Sequence, residues 1–194
     1  MVLPHEPAAS GASAAVSFGV AIAVPEPHGT ALQRRRAGFG DPQAHRIPSH
    51  VTLLPPEHGS PERVERVTGA LEEVAARTAP FTMRLEGTDT FRPVSPVVFV
   101  ALAEGAHEAE RLAGAVRAAT EAPAPQFPFH PHVTIAHDLP DERLDLAQSE
   151  LERYACAFAV REFSLYLQDE RTGWSPRVTF PLTGSCGPAA PPAR

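Results

Sequence analysis

Two short segments of the chain carry the same set of chemically useful side chains. The tetrads His-Val-Thr-Leu at 50–53 and His-Val-Thr-Ile at 132–135 begin 82 residues apart (132 − 50 = 82). Because side chains two residues apart on a β-strand project from the same face, each tetrad would aim an imidazole and a hydroxyl in one direction. A single His-x-Thr arises readily by chance, whereas a pair calls for a structural explanation.

Four side chains from the two tetrads could catalyse a displacement at phosphorus without a metal ion. Histidine has an ordinary pKa of about 6.5, so neutral and protonated imidazoles coexist near neutral pH. Across a cleft, one of His50 and His132 could remove a proton while the other supplies a proton to the leaving oxygen. Thr52 and Thr134 could donate hydrogen bonds to the non-bridging phosphate oxygens and stabilise the transition state. Either histidine can take either role.

The elements that would position the tetrads repeat along the chain, since each half contains a strand, a helix, a tetrad strand, a helix and a strand. In the first half these are a buried strand at 15–24, a short helix at 28–38, the tetrad strand at 49–54, a helix from 60–62 and a strand at 81–88. In the second half they are a buried strand at 96–103, a helix at 105–120, the tetrad strand at 132–136, a helix from 140–141 and strands at 157–168 and 177–182. We expect Pro55 and Pro56 to end the first tetrad strand, and Ser60 to cap the helix that follows.

This layout predicts an α+β fold. We expect two pseudo-symmetric lobes of antiparallel sheet with outer helices, and tetrad strands that face a central cleft. One bilobal domain would span 14–182, with lobes at about 14–90 and 91–182. The tails at 1–13 and 183–194 are rich in Pro, Ala, Gly and Ser and are expected to be disordered.

Charge and composition limit the classes of partner. The formal charge of −6 argues against a protein that coats long nucleic acid and favours a small or terminal phosphate. We interpret the basic cluster Arg34-Arg35-Arg36 as a solvated helix face, with a phosphate clamp as the alternative.

The two cysteines, Cys156 and Cys186, do not have the spacing of a metal-binding pair. Because no basic residue precedes Arg34 and no apolar run reaches membrane-spanning length, we expect a soluble cytoplasmic monomer without a cofactor.

The paired tetrads and their flanks, 46–48 before the first and 129–131 before the second, resemble the signature motifs of the 2H phosphoesterase superfamily. The similarity is to its bacterial 2′-5′ RNA ligase-like, or cyclic phosphodiesterase-like, branch and covers about residues 15–182. The resemblance implies a metal-independent enzyme that opens 2′,3′-cyclic phosphates or acts on 2′-5′ linkages. It implies that His50 and His132 are the acid and base and that Thr52 and Thr134 hold the phosphate. The substrate would be a small nucleotide or an RNA terminus.

Two other functions fit the same residues. A protein of this fold could bind nucleotides or RNA ends without turning them over. Alternatively, His130 and His132 form a His-x-His pair that could ligate a metal ion together with His50 or His137. We expect no metal site, because neither tetrad contains an acidic residue.

Four aromatic residues could stack on a nucleobase. They are Phe91, Phe129, Tyr166 and Trp174. We expect each of them to pack in the core or at its rim, outside the site.

Overall fold

The computed structural model describes residues 15–185. The disorder expected for 1–13 and 186–194 therefore falls outside the described residues. Within the expected C-terminal tail, Thr183 and Gly184 donate backbone hydrogen bonds to the carbonyls of Ala75 and Thr78. The expectation of disorder is wrong for these two residues, because both are fixed to the end of a helix.

Residues 15–185 form eight strands and four helices. The strands are β1 (Val16–Ala23), β2 (His50–Gly59), β3 (Phe81–Thr90), β4 (Val97–Glu104), β5 (His132–His137), β6 (Ala155–Val160), β7 (Glu162–Asp169) and β8 (Gly173–Pro181). The helices are α1 (His28–Phe39), α2 (Pro61–Arg77), α3 (Ala106–Thr120) and α4 (Asp141–Glu150). The Ser60 side chain accepts a hydrogen bond from the Arg63 backbone N–H, which confirms the predicted cap of α2.

The strands form two antiparallel four-stranded sheets. The first sheet has the order β2-β1-β7-β8, and the second has the order β5-β4-β3-β6. In each sheet the tetrad strand, β2 or β5, lies at an edge beside the buried strand that precedes it in the chain. The predicted α+β fold with two pseudo-symmetric sheets is confirmed.

The first half of the chain contributes one strand, β3, to the second sheet, and the second half contributes two strands, β7 and β8, to the first. β3 pairs with β4 and β6 in the second sheet, whereas β7 pairs with β1 and β8 in the first. The expected lobe boundary near residue 90 therefore does not separate the two sheets. The single strand expected at 157–168 is also wrong, because the chain leaves the second sheet after Val160 and enters the first at Glu162.

The first tetrad strand is longer than expected, because β2 continues through Pro55 and Pro56 to Gly59. Leu54 and Glu57 both pair with β1, and the two prolines between them lie where the register shifts. At the edge of a sheet, a residue that cannot donate a backbone hydrogen bond is tolerated, especially at such an irregularity. The prolines therefore interrupt the regular pairing of β2 with β1 without ending the strand.

The helices join the two sheets from outside. α1 packs on β5 and α4, whereas α3 packs on β2 and α2, so each of these two helices contacts the tetrad strand of the opposite sheet. A single cluster of buried apolar side chains extends through both halves. Across residues 15–185, no helix combines the length and the apolar character needed to cross a membrane.

Candidate functional site

The two tetrads lie side by side where the sheets meet. β2 and β5 contact each other, and the aliphatic residues of both tetrads are buried. The intervening side chains, those of His50, Thr52, His132 and Thr134, are partly buried. The period-two pattern of the sequence therefore separates core residues from residues of the cleft, as a strand requires.

A cavity of about 240 Å³ opens between the tetrads. His50, Thr52 and Thr134 line this cavity. His132 lies beside it, near enough to His50 for the charge of that imidazole to act on its pKa. The structure thus brings the four predicted side chains together, and their chemical roles stay a prediction.

Both tetrad imidazoles are held by the same hydrogen bond. His50 Nδ1 lies 2.6 Å from the carbonyl oxygen of Pro48, and His132 Nδ1 lies 2.7 Å from that of His130. Since a carbonyl oxygen only accepts, Nδ1 must donate in each ring. This fixes the ring orientation and leaves Nε2 to accept a proton when the ring is neutral, or to donate one when it is charged.

The surroundings of both imidazoles favour the neutral form. Burial lowers the pKa of His50, the hydrogen bond to Pro48 acts in the opposite direction, and the positive charge of Arg36 lowers this pKa further. Burial likewise lowers the pKa of His132 against its own backbone hydrogen bond, and the neighbouring His130 and His50 add to the lowering. In the free protein both rings therefore favour the neutral form, in which Nε2 can accept a proton.

Aromatic side chains support His132. The Phe91 ring stands edge-on to this imidazole, with centroids 4.9 Å apart and planes at 90°, and the Phe99 ring lies 5.1 Å away. His130 contacts the same two phenyl rings. Phe91, expected to be a packing residue, thus packs directly against a predicted catalytic side chain.

One wall of the cavity is aromatic. Tyr166 on β7 and Trp174 on β8 line it, although we expected both residues to lie outside the site. Gly19 lies against this wall, since a Cβ there would come within 3.6 Å of the Trp174 ring. The sequence did not indicate this, because β7 and β8 reach the first sheet only through the exchange of strands.

Three parts of the fold hold the segment that leads into the first tetrad. The Arg46 carbonyl accepts a hydrogen bond of 2.8 Å from the Trp174 backbone N–H. The Arg46 guanidinium donates to the Glu170 carbonyl at 2.6 Å. From α1, the Gln33 amide donates to the Ile47 carbonyl at 2.9 Å. These bonds fix the backbone whose Pro48 carbonyl orients His50.

The basic cluster on α1 is not wholly solvated. Arg34 and Arg35 are exposed as expected, but only 3% of Arg36 is exposed, and it lines the cavity. Helical spacing explains the difference, because Arg36 lies on the same face as the buried Leu32 and Phe39. That spacing is visible in the sequence and could have identified Arg36.

A buried carboxylate fixes the Arg36 side chain. Arg36 Nε donates to Asp41 Oδ2 at 2.7 Å, and the second carboxylate oxygen accepts from the Gln43 backbone N–H at 2.8 Å. Only 3% of Asp41 is exposed. The ion pair therefore holds the guanidinium in one orientation at the cavity.

The alternative of a histidine-ligated metal would need His130 and His132 to gather a third ligand. Within residues 15–185, no group of three or more His, Cys, Asp or Glu side chains is placed to hold a metal ion. His137, a candidate third ligand, lines the cavity, and its Nε2 lies 3.4 Å from the Asp138 carboxylate. The described residues thus offer no ligand set for this alternative.

The sequence matches a known family and known relatives. The 2'-5' RNA ligase superfamily matches residues 24–172. A protein of Geobacillus kaustophilus named "Putative phosphoesterase" is 30% identical over 140 residues, which cover 71% of this chain and 80% of the relative. A protein of the same name from Bacillus pumilus is 30% identical over 144 residues, covering 73% of this chain and 84% of the relative.

The fold matches solved structures. E. coli LigT in complex with 3′-AMP superposes with a TM-score of 0.63 at 21% identity, over 88% of this chain and 99% of LigT. The protein TT0787 of Thermus thermophilus superposes with a TM-score of 0.61 at 24% identity, over 88% of this chain and all of TT0787 (100%). At these identities the likeness shows a shared fold.

Proposed function

Because the chain belongs to the 2'-5' RNA ligase superfamily, we propose that it is a metal-independent phosphodiesterase that acts on 2′,3′-cyclic phosphates or on 2′-5′-linked nucleotide or RNA ends. The observation that carries this proposal is the matched pair of imidazoles. Both donate from Nδ1 to a backbone carbonyl and keep Nε2 free beside a cavity lined by both tetrad threonines.

Hydrolysis of a cyclic phosphate by these groups conserves atoms and protons. A neutral imidazole, that of His50 or His132, takes a proton from water as the water oxygen forms a bond to phosphorus. The bond from phosphorus to the 2′ or 3′ oxygen breaks, and the other imidazole, protonated, gives its proton to that oxygen. Thr52 and Thr134 donate hydrogen bonds to the non-bridging oxygens, on which negative charge grows.

The lowered pKa of both histidines favours the neutral imidazole that a base requires, whereas the imidazole that acts as the acid must first be protonated. In the free protein both rings favour the neutral form. A bound phosphate carries negative charge, and an opposite charge nearby raises the pKa of an imidazole. The substrate itself would therefore favour protonation of whichever histidine lies nearer the leaving oxygen.

The lining of the cavity supports a substrate that carries both a phosphate and a base. The cavity of about 240 Å³ is lined by polar side chains of both tetrads and of α1, and by the aromatic side chains of Tyr166 and Trp174 on one wall. Stacking on such rings tolerates any base. E. coli LigT, which shares the fold, has been seen with 3′-AMP bound. The net charge of −6 fits a small ligand better than long nucleic acid.

The test uses the EDTA-treated full chain with the four nucleoside 2′,3′-cyclic phosphates and a 2′-5′-linked dinucleotide. We expect turnover in the wild type and a loss of about 10²- to 10⁴-fold in His50→Ala and in His132→Ala. His107→Ala, an exposed histidine on α3, is the matched control and should retain the wild-type rate.

Three results would contradict the proposal. Tight binding of these compounds without turnover would identify a nucleotide-binding protein. Activity that appears only after a divalent ion is restored would identify a metal hydrolase. Full activity in either tetrad variant would exclude the two-histidine mechanism.

A further inference from the structure

The charge in the cavity is concentrated on one side chain. Among the described residues that line it, Arg36 is the one that carries a permanent charge. The tetrad threonines are neutral, and burial favours the neutral form of His50 by lowering its pKa. A phosphodiester is an anion, so the tetrads alone would receive a charged group with neutral donors.

Most of the hydrogen-bonding capacity of Arg36 is unused. A guanidinium has five N–H donors. Within residues 15–185, the structure gives this side chain one hydrogen bond, from Nε to Asp41. Among the described residues, the two terminal nitrogens of Arg36 have no hydrogen-bond partner, and neither nitrogen is fully enclosed. The small exposed part of the side chain therefore includes both of them. In a buried arginine with a purely structural role, we would expect these N–H groups to donate hydrogen bonds to acceptors within the protein.

We propose that Arg36 binds the substrate phosphate through its terminal N–H groups and that Asp41 positions it to do so. This inference rests on the proposed function for the identity of the substrate, but not for the presence of an anion site. Arginine presents its donors in a planar fork that matches two oxygens of a phosphate. Asp41 occupies the Nε edge and leaves the opposite edge of the fork for the ligand.

The position of Arg36 also links phosphate binding to His50. The charge of Arg36 acts on this imidazole and lowers its pKa. A phosphate bound between them would offset that charge and allow His50 to take up a proton. Arg36 would therefore contribute both to affinity and to the protonation state of the tetrad.

The experiment measures the affinity of the full chain for inorganic phosphate, by following the imidazole and guanidinium ¹⁵N resonances during a titration. Arg36→Gln removes the charge but leaves a buried carboxylate, which can destabilise the fold. The double variant R36Q/D41N removes both charges and keeps an acceptor for the Gln43 N–H. Arg35→Gln, which removes an exposed arginine from the same helix, is the matched control.

We expect phosphate to bind about 10- to 100-fold more weakly to R36Q/D41N than to the wild type, the range for losing hydrogen bonds to a charged group. Arg35→Gln should bind as the wild type does. In the wild type, phosphate should shift the guanidinium resonance of Arg36 and leave that of Arg35 in place. In Arg36→Gln the pKa of His50 should rise.

Equal phosphate affinity in the wild type and R36Q/D41N would overturn the inference. So would a wild type whose Arg36 resonance does not respond to phosphate, a result that needs no variant to fold. If phosphate affinity depends on Arg36 while no cyclic phosphate is hydrolysed, the anion site stands and the proposed hydrolysis fails.

Discussion

Replacement of Gly173 by alanine should damage both the fold and the site. Gly173 has a φ of +83°, a conformation that disfavours any residue with a Cβ. A Cβ built there would lie 2.3 Å from the Arg46 carbonyl oxygen. The next residue, Trp174, donates its backbone hydrogen bond to that same oxygen. Alanine would therefore displace the segment that leads to His50.

The size of the effect follows from these two contacts. The left-handed conformation costs a residue with a Cβ about 1–2 kcal/mol. Insertion of a methyl group against backbone that cannot rotate away costs about 1–3 kcal/mol more. The free energy of unfolding should thus fall by about 2–5 kcal/mol. For a domain of this size that lowers Tm by roughly 4–20 °C.

The assay is urea and thermal unfolding of Gly173→Ala beside Gly69→Ala. Gly69 lies exposed within α2, and a Cβ there meets nothing within 4 Å. Alanine should stabilise this helix by about 0.5–1 kcal/mol, so the two variants should change stability in opposite directions. If Gly173→Ala unfolds at or above the wild-type midpoint, the account of the Arg46 contact is wrong.

Three further predictions concern the site. Because burial lowers the pKa of both His50 and His132, the unfolded chain binds more protons below about pH 6.5, and the free energy of unfolding should decrease as the pH falls from about 7.5 to about 5.5. Urea titrations across this range should show a shallower decrease in His50→Ala, and an equal slope would contradict the burial of this imidazole. Trp174→Leu should raise KM for nucleoside cyclic phosphates by about 5- to 150-fold, the range for loss of one stacked base, and an unchanged KM would remove Trp174 from the substrate site. Phe91→Leu should lower kcat by loosening the edge-on support of His132 while leaving phosphate affinity unchanged, and a loss of affinity with an unchanged kcat would assign Phe91 to binding instead.

The sequence predicts those parts of this protein that depend on local pattern. Alternation within the tetrads separates His50 and Thr52 from the core, because a strand has a period of two. Ser60 is a recognisable helix cap, because the hydroxyl and the following proline satisfy the first turn. Both signals lie within a few residues and depend on no distant partner.

The local sequence pattern does not show which strands pair with each other. The strand signal continues past Arg161, where the chain changes sheets, because an extended backbone looks the same whichever strand it pairs with. Tyr166 and Trp174 reach the cavity only through that change. The prediction that Arg36 is solvated is wrong for another reason. A charged residue is usually exposed, and the buried partner of Arg36, Asp41, lies beyond the end of the helix.

The exchange of strands between the halves also orders events during synthesis. Both tetrads have been synthesised by residue 135, yet β1 cannot complete its sheet until β7 follows, since Phe18 pairs with Leu167 across 149 residues (167 − 18 = 149). Closing a loop of this length is slow relative to local pairing. A nascent chain that stops short of β7 would hold every tetrad residue and still lack the centre of the first sheet. The cavity should therefore mature only after almost the whole domain has left the ribosome.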